Sequence, residues 1–398
     1  METRVQIPLG LPVGRGNSPD LSALRAGRAH TLNFVSSLIS ELRTDELVPR
    51  LDTDPQLFLL DVREPDEFAD WVIPGAVNIP LGSLEDRLDE VPLNRSVVVV
   101  CAKGARALRG AEVLAAHHRP CAVLEGGMGS WASTYDEVSL ELGGATVIQV
   151  RRRGKGCLSY VVGAGERCVV IDPSLDIERY QNIANSRGWQ IAYVVDTHLH
   201  ADHISGAREL VASTGARLML SPHDPFRFDF EPLGDGLMVA LTDQVQLGVE
   251  AVSAPGHTEG STVYRLGDAA IFTGDTLFLE SVGRPDLADQ AEPFAHALYR
   301  SLHDRVLSLP DDVRVFPAHY GAGVEVHFGV AVSKTLGELR QTLAPLSLNE
   351  TEFVAWAVKN VKDRPPNYQK IVKINAGIEV LGIPSSDLEA GPNRCAIA

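Results

Sequence analysis

Thr197-His198-Leu199-His200-Ala201-Asp202-His203 decides the reading of this chain: four side chains able to bind a metal fall within six residues, His198, His200, Asp202 and His203. Imidazoles and a carboxylate together suit zinc or iron, whereas magnesium and calcium favour all-oxygen shells. The run before it, Ile191-Ala192-Tyr193-Val194-Val195, is β-branched and aromatic with no charge until Asp196, and predicts a buried strand. The candidate ligands therefore sit on the loop leaving the C-terminal end of a strand, where α/β proteins place chemistry. Three further residues follow downstream: His257 in Ala254-Pro255-Gly256-His257-Thr258, Asp275 in Phe272-Thr273-Gly274-Asp275-Thr276, and His319 in Phe316-Pro317-Ala318-His319. Each comes after a short apolar run or a turn signal, as expected of ligands carried on loops.

This ordered set resembles the metallo-β-lactamase superfamily signature over about residues 146–375, and Val169-Val170-Ile171-Asp172-Pro173 resembles its first motif. The resemblance implies an αββα sandwich with a metal site, but not one reaction, because the superfamily hosts hydrolases, nucleases and oxidases. A formal net charge of −16 opposes binding to nucleic-acid phosphates and lowers the nuclease branch. No run approaches the ~18 apolar residues that a bilayer crossing needs. Met1 to Arg15 carries scattered Pro and Gly in place of a continuous apolar core, so a secretory signal is not expected either. Five cysteines, an odd number without a C-x-x-C pair, predict free thiols and a cytoplasmic location.

At 398 residues the chain is long for one core, and its patterning divides it. Residues 1–32 lack periodicity and read as a flexible tail. A domain over residues 33–135 follows, with strands expected at Leu57 to Val62, Val97 to Cys101 and Ala122 to Leu124, and an amphipathic helix from about Ala105 to His118. Strand, helix, strand in that order implies a parallel α/β sheet. Residues 136–145, with Gly143-Gly144, read as a linker. The metal domain is expected over residues 146–388, with strands near 146–151, 158–163, 168–172 and 191–195. It ends in a helical extension, including a helix from Leu348 to Lys362 with Ser347 as N-cap and Glu350 completing a capping box. Residues 389–398 read as a fraying tail.

The first domain holds a second chemical centre in Val97-Val98-Val99-Val100-Cys101-Ala102-Lys103-Gly104-Ala105-Arg106. A cysteine that ends a buried strand and opens a tight loop into a helix meets curling backbone N–H groups and the positive end of the helix dipole. With Lys103 and Arg106 nearby, these favour thiolate and would cradle a small anion. Asp61-Val62-Arg63-Glu64-Pro65, Ile73-Pro74-Gly75-Ala76 and Leu124-Glu125-Gly126-Gly127 before Trp131 resemble the rhodanese family over about residues 35–135. The resemblance implies that Cys101 takes up sulfane sulfur as a persulfide and passes it to a thiol or to sulfite. Four residues between Cys101 and Arg106 match the short rhodanese loop; related phosphatase loops are one residue longer. Trp71-Val72 departs from the family, which commonly has Gly-His before Ile-Pro-Gly-Ala. An inactive, regulatory rhodanese fold is the alternative. Cys121, Cys157 and Cys168 read as packing residues.

Two modules that both handle sulfur narrow the reaction. Gly274-Asp275-Thr276-Leu277-Phe278 followed by Gly283-Arg284-Pro285-Asp286, together with Gly156-Cys157-Leu158-Ser159-Tyr160, resembles the persulfide dioxygenase branch of the superfamily. That resemblance implies a mononuclear Fe(II) held by His198, His257 and Asp275, oxidising a low-molecular-weight thiol persulfide with oxygen and water to sulfite and thiol. His200, Asp202, His203 and His319 would then orient ligands and move protons, and the rhodanese centre would interconvert sulfite, persulfide and thiosulfate. Arg284 and Asp286 would form an ion pair at the pocket floor, with a surface salt bridge as the alternative. Tyr160 and Tyr320 are further candidates near the substrate. Tyr320 stands where glutathione-using members commonly have Asp-Tyr after the His, so the carrier thiol stays open between glutathione, coenzyme A and other small thiols. The rival reading is a dinuclear zinc thioester hydrolase of the glyoxalase II kind, with Asp202, His203 and His319 holding a second Zn2+ and the rhodanese domain accessory or sensory. A homodimer is compatible with the sequence.

Overall fold

The computed structural model describes residues 37–242, 248–321, 323–361, 364, 367–389 and 395–397, arranged as a parallel α/β domain followed by a two-sheet sandwich flanked by helices. The expected tail at 1–32 lies outside the described residues. In the first domain the strand order is Ile39–Leu42, Cys121–Leu124, Ser96–Val100, Leu57–Asp61, Val77–Asn78, every neighbouring pair parallel. Leu57–Asp61 is buried along its whole length and Ser96–Val100 from its second residue on, the signature of strands covered on both faces by helices. Helix Ala105–Ala116 covers one face with Ala107, Ala111 and Leu114, while Trp131 and Met128 of the short helix Gly127–Ala132 pack on the other.

Residues 136–145 are not a linker. Tyr135–Leu142 is the edge strand of a seven-stranded sheet and pairs antiparallel with Ala145–Arg152. Gly143 and Gly144 form the two-residue hairpin turn, with φ of 57° and 80°, and such a turn needs glycine-like freedom at both positions. The alternation Val138, Leu140, Leu142 carries the strand signal that the glycine pair obscured. The sheet continues through Cys157–Ala164, Arg167–Ile171, Gln190–Val195, Arg217–Leu220 and Glu231–Pro232, turning parallel from Arg167–Ile171 onward.

The second sheet runs in the order Leu237–Ala240, Gly248–Ser253, Thr262–Leu266, Ala270–Gly274, Arg314–Pro317, Lys334–Thr335. Val147, Val162, Val169 and Val195 of the first sheet share one apolar core with Val249, Val263, Phe272 and Val315 of the second. Helices Ile177–Ser186 and Ala207–Thr214 cover the outer face of the first sheet through Tyr180, Ile183 and Leu210. Helices Ala291–Arg300 and Glu350–Asn360 pack together on the far side, where Tyr299 meets Phe353. No helix among the described residues is long and apolar enough to cross a membrane.

Two further expectations shift. The helix expected from Leu348 starts at Glu350, capped by Asn349, which accepts from Glu352 N at 3.0 Å, while Ser347 belongs to the preceding 3-10 turn. Asn is as good a cap as Ser, and here its reciprocal partner is Glu352, not Glu350. The described part of the C-terminal segment is docked, not frayed: Glu389, Cys395 and Ile397 are buried, and Ala396 bridges to Gly283.

Candidate functional site

Three loop ends meet where the two sheets come together. Asp172, just after Arg167–Ile171, takes a left-handed φ of 53° and gathers the neighbouring histidine loop. It accepts from Thr197 N at 2.6 Å and from Thr197 Oγ1 at 2.9 Å, and its Oδ1 lies 3.1 Å from His200 Nε2. Thr197 Oγ1 in turn lies 2.9 Å from His198 Nδ1, fixing that ring from behind. His257 follows strand Gly248–Ser253, with Nδ1 2.9 Å from the Arg284 carbonyl oxygen. Asp275 follows strand Ala270–Gly274; a Cβ on Gly274 would stand 2.5 Å from Thr197 Oγ1, so only glycine lets the two loops close. Asp224 clasps the same loops from outside, accepting from Leu199 N at 2.8 Å and Gly260 N at 3.0 Å.

The result is a buried trio. Asp275 Oδ2 lies 3.6 Å from His198 Nε2 and 3.4 Å from His257 Nε2, and none of these three atoms has a hydrogen-bond partner among the described residues. One unsatisfied buried polar atom costs about 1–3 kcal/mol. Three converging on one point describe a binding site for a cation. Burial, reinforced at His198 by His200, lowers the proton affinity of His198, and burial does the same at His257, so both imidazoles are neutral with lone pairs available. Burial opposes charge on Asp275, but His319 and His198 overcome it and hold the carboxyl below its usual range. Two neutral imidazoles and a carboxylate fit a divalent transition metal.

Beside the trio lies a second group: Cys157, Asp202, His203 and His319, all buried. Here the side chains serve one another. Asp202 Oδ1 lies 3.0 Å from His203 Nδ1, Asp202 Oδ2 lies 2.8 Å from His319 Nε2, and His319 Nδ1 lies 2.6 Å from Asp275 Oδ1. Burial opposes protonation of both rings, but Asp202 reverses it, raising His203 to about 9 and, with Asp275, His319 well above the imidazole range. His200 belongs to neither set; it groups with Asp172 and Asp196 behind the histidine loop.

The remaining expected residues separate. Arg284 is 1% exposed and paired with Asp286 at 2.7 Å, and Arg364 braces Asp286 from the other side at 3.2 Å, so this is no surface bridge. Tyr160 is a core residue: it is 1% exposed, packs on Phe272 and Phe316, and its hydroxyl donates to the Pro317 carbonyl. Tyr320 donates its hydroxyl to the Arg153 carbonyl at 3.4 Å, and burial pushes it up to about 12.

Sequence reading missed the C-terminal contribution. Cys395 lies in a group with Asp275 and His319 whose candidate ligand atoms are all within 4.8 Å of one another. Asn375 donates to the carbonyls of His200 and His203 at 3.0 and 2.8 Å, and Glu389 accepts from Ile204 N at 2.7 Å. No local pattern marks these residues, because their partners lie some 170 to 190 positions away.

In the first domain Cys101 ends strand Ser96–Val100 and is 1% exposed, its Sγ accepting from Gly104 N at 3.1 Å. Gly104, with φ of 97°, opens helix Ala105–Ala116 directly behind the sulfur. Lys103 is exposed. Arg106 is held by Glu67 through two hydrogen bonds of 2.6 and 2.7 Å. Burial pushes Cys121 up to about 11 and Cys168 to about 12, in keeping with packing roles.

Comparison with known proteins identifies both domains. Residues 152–319 match the family model of the metallo-beta-lactamase superfamily, and residues 44–134 that of the rhodanese-like domain. The mitochondrial persulfide dioxygenase ETHE1 of Bos taurus is 34% identical over 212 residues, covering 50% of this chain and 76% of its own. A hydroxyacylglutathione hydrolase of Methylococcus capsulatus is 34% identical over 163 residues, covering 39% of this chain and 59% of its own. The crystal structure of ETHE1 from Myxococcus xanthus superposes with a TM-score of 0.52 at 26% identity, covering 58% of this chain and 98% of that one.

Proposed function

The chain belongs to the ETHE1 persulfide dioxygenase family of the metallo-β-lactamase superfamily, with a rhodanese-like domain fused ahead of it, and from that premise we propose that it oxidises a low-molecular-weight thiol persulfide with dioxygen. The balanced step is RSS⁻ + O2 + H2O giving RS⁻, SO3²⁻ and two protons. The observation that carries this reading is the contrast between the trio and its neighbours. His198 Nε2, His257 Nε2 and Asp275 Oδ2 are left without hydrogen-bond partners, whereas Asp202 and His203 are hydrogen-bonded to each other and His319 is tied to Asp275 through Nδ1, with only its Nε2, 2.8 Å from Asp202 Oδ2, making no hydrogen bond. That pattern favours one metal over two.

In this reading His198, His257 and Asp275 would hold one Fe(II), which when bound would supply the oxygen chemistry that persulfide oxidation requires. The Arg284 carbonyl and the Thr197 hydroxyl fix the two imidazoles by their Nδ1 atoms. The reaction releases protons, and the Asp202–His203–His319 group, in contact with Asp275 through His319, would carry them away. Arg284 with Asp286 braces the floor under His257.

Cys101 extends the chemistry. A persulfide on Cys101 would pass its outer sulfur to sulfite, giving thiosulfate and the free thiolate, and the reverse reaction would load Cys101. Gly104 N and the helix N-terminus behind it face the sulfur.

A dinuclear hydrolase is the second reading, favoured by the complete donor set at the neighbouring group and by the hydroxyacylglutathione hydrolase relative. Metal analysis of anaerobically purified protein, followed by oxygen uptake on adding a small-thiol persulfide, separates the two. About one iron per chain with persulfide-dependent uptake is the expected result. Two zinc ions per chain with thioester cleavage and no uptake would replace it.

A further inference from the structure

Trp71 stands where the rhodanese resemblance leads one to expect a different dipeptide, and its indole reaches out of its own domain. Trp71 Nε1 donates to the Gly154 carbonyl at 2.8 Å, across 83 residues. Gly154 lies in the turn joining strands Ala145–Arg152 and Cys157–Ala164 of the metal domain. The same turn is clasped twice more: Arg152 Nε donates to the Ala132 carbonyl at 2.7 Å and Arg153 N to the Thr134 carbonyl at 2.8 Å. A Cβ on Gly154 would stand 2.2 Å from the Trp131 carbonyl oxygen, so the approach of the two domains requires glycine there.

The turn's other end is locked to the metal centre. Gly156 accepts from Tyr320 N at 3.0 Å, Leu158 N donates to the Ala318 carbonyl at 2.7 Å, and Cys157 bridges His319 in antiparallel fashion. His319 is the residue that touches both Asp202 and Asp275. On the rhodanese side, helix Gly127–Ala132 begins on the sulfur loop, where Met128 N donates to the Cys101 carbonyl at 2.9 Å and Gly129 N to that of Ala102 at 3.1 Å. It ends at Trp131 and Ala132, against the turn. Trp71 itself is tied to the rhodanese core, its carbonyl accepting from Arg63, which pairs with buried Asp61.

We propose that the turn at residues 152–156 is a coupling element through which the rhodanese-like domain sets the position of His319 in the metal centre, with Trp71 as the positioning residue that holds the turn. One short helix and one turn connect the Cys101 loop to His319, a contiguous run of backbone contacts with no flexible link. The rhodanese-like domain is then a structural part of the metal centre and not only a neighbour on a tether.

The test compares Trp71→Phe with the wild type, each carrying the metal with which it purifies. The variant is expected to keep thiosulfate:cyanide sulfur transfer within about twofold, since Cys101 is not touched, while losing metal to a chelator about tenfold faster. Calorimetry is expected to show one unfolding transition for the wild type and two for the variant, because the domains no longer unfold together. Gly154→Ala, which wedges the clasp open from the other side, is expected to speed metal loss and split the transition in the same way, with sulfur transfer again kept within about twofold. Unchanged metal release with a single transition in Trp71→Phe would overturn the coupling. So would sulfur transfer and metal retention falling in parallel, which marks general destabilisation. Sulfur transfer and persulfide-dependent oxygen uptake are readings that rest on the proposed function; the absence of either in the wild type defeats that part of the function, and chelation and calorimetry still judge the coupling.

Discussion

The two chemical centres of this chain are built in opposite ways. The Cys101 loop is local: one strand end, four residues and a helix start supply the thiol, the Gly104 N–H and the helix dipole. The metal centre is assembled from afar, with Asp172, Asp224, Arg284, Asn375 and Glu389 each holding a loop that carries a candidate ligand or its neighbour. A local site tolerates change elsewhere in the chain. A site built from long-range contacts stores its geometry in residues that never meet the substrate, and so it is exposed to substitutions far from the chemistry.

The largest expected effect strikes the trio itself. His257→Ala removes one of three converging donors and is expected to reduce metal content to background and to abolish persulfide-dependent oxygen uptake, while sulfur transfer by Cys101 continues. Metal analysis and both assays on one preparation check it. Full metal retention in His257→Ala would mean that the ligands are instead among Asp202, His203 and His319, and the contrast between the two groups would collapse.

Cys101→Ser is the mirror image. Sulfur transfer is expected to vanish with oxygen uptake unchanged within about twofold, since serine keeps the loop's shape and the sites share no side chain. Loss of both activities would show that oxygen uptake itself runs through a Cys101 persulfide, and the two centres would have to be described as one.

Much of this division was legible in the sequence. The histidine loop, Gly274-Asp275 and the Cys101 loop follow strands whose β-branched runs are unmistakable, and the chain order of the ligands sets the frame. Other features could not be read. Gly143-Gly144 looks the same in a linker and in a hairpin, and only pairing with Ala145–Arg152 decides between them. Tyr160 sits in a motif that suggests substrate contact, yet strand alternation turns it into the core against Phe272. Trp71 registers in sequence only as a departure from a motif; its partner, Gly154, is visible only in three dimensions. Cys395 is adjacent to the metal centre because Ala396 bridges Gly283, a pairing that no local pattern announces.

A smaller effect tests the neighbouring group. Asp202→Asn removes the charge that holds His203 near 9 and raises His319. His203 should then bind its proton less tightly, while His319 keeps the support of Asp275 at 2.6 Å. With the metal trio intact, metal content is expected to stay near that of the wild type while turnover falls about tenfold, the scale seen when a residue behind the ligands is lost. Loss of a second equivalent of metal would instead identify Asp202 as a ligand and favour the dinuclear hydrolase.

The smallest effect concerns the rhodanese side and its pH dependence. Glu67 is held down to about 2, first by its hydrogen bonds to Arg106 and against the opposing effect of burial. A carboxyl whose folded pKa lies below its ordinary 4.5 contributes stability that is fully present above that value and is lost as pH falls toward 2. Glu67 is 35% exposed and Arg106 31%, so solvent screening limits the contribution to about 1 kcal/mol. Glu67→Gln is therefore expected to lower the stability of the first domain slightly at pH 7 and to flatten its pH dependence between 4.5 and 2, read by thermal melting across that range. It also frees the Arg106 guanidinium next to the sulfur loop. A drop in sulfur transfer larger than the stability change would show that Glu67 aims Arg106 at the incoming anion, adding a side-chain contact to the backbone contacts that Met128 and Gly129 already make with the loop.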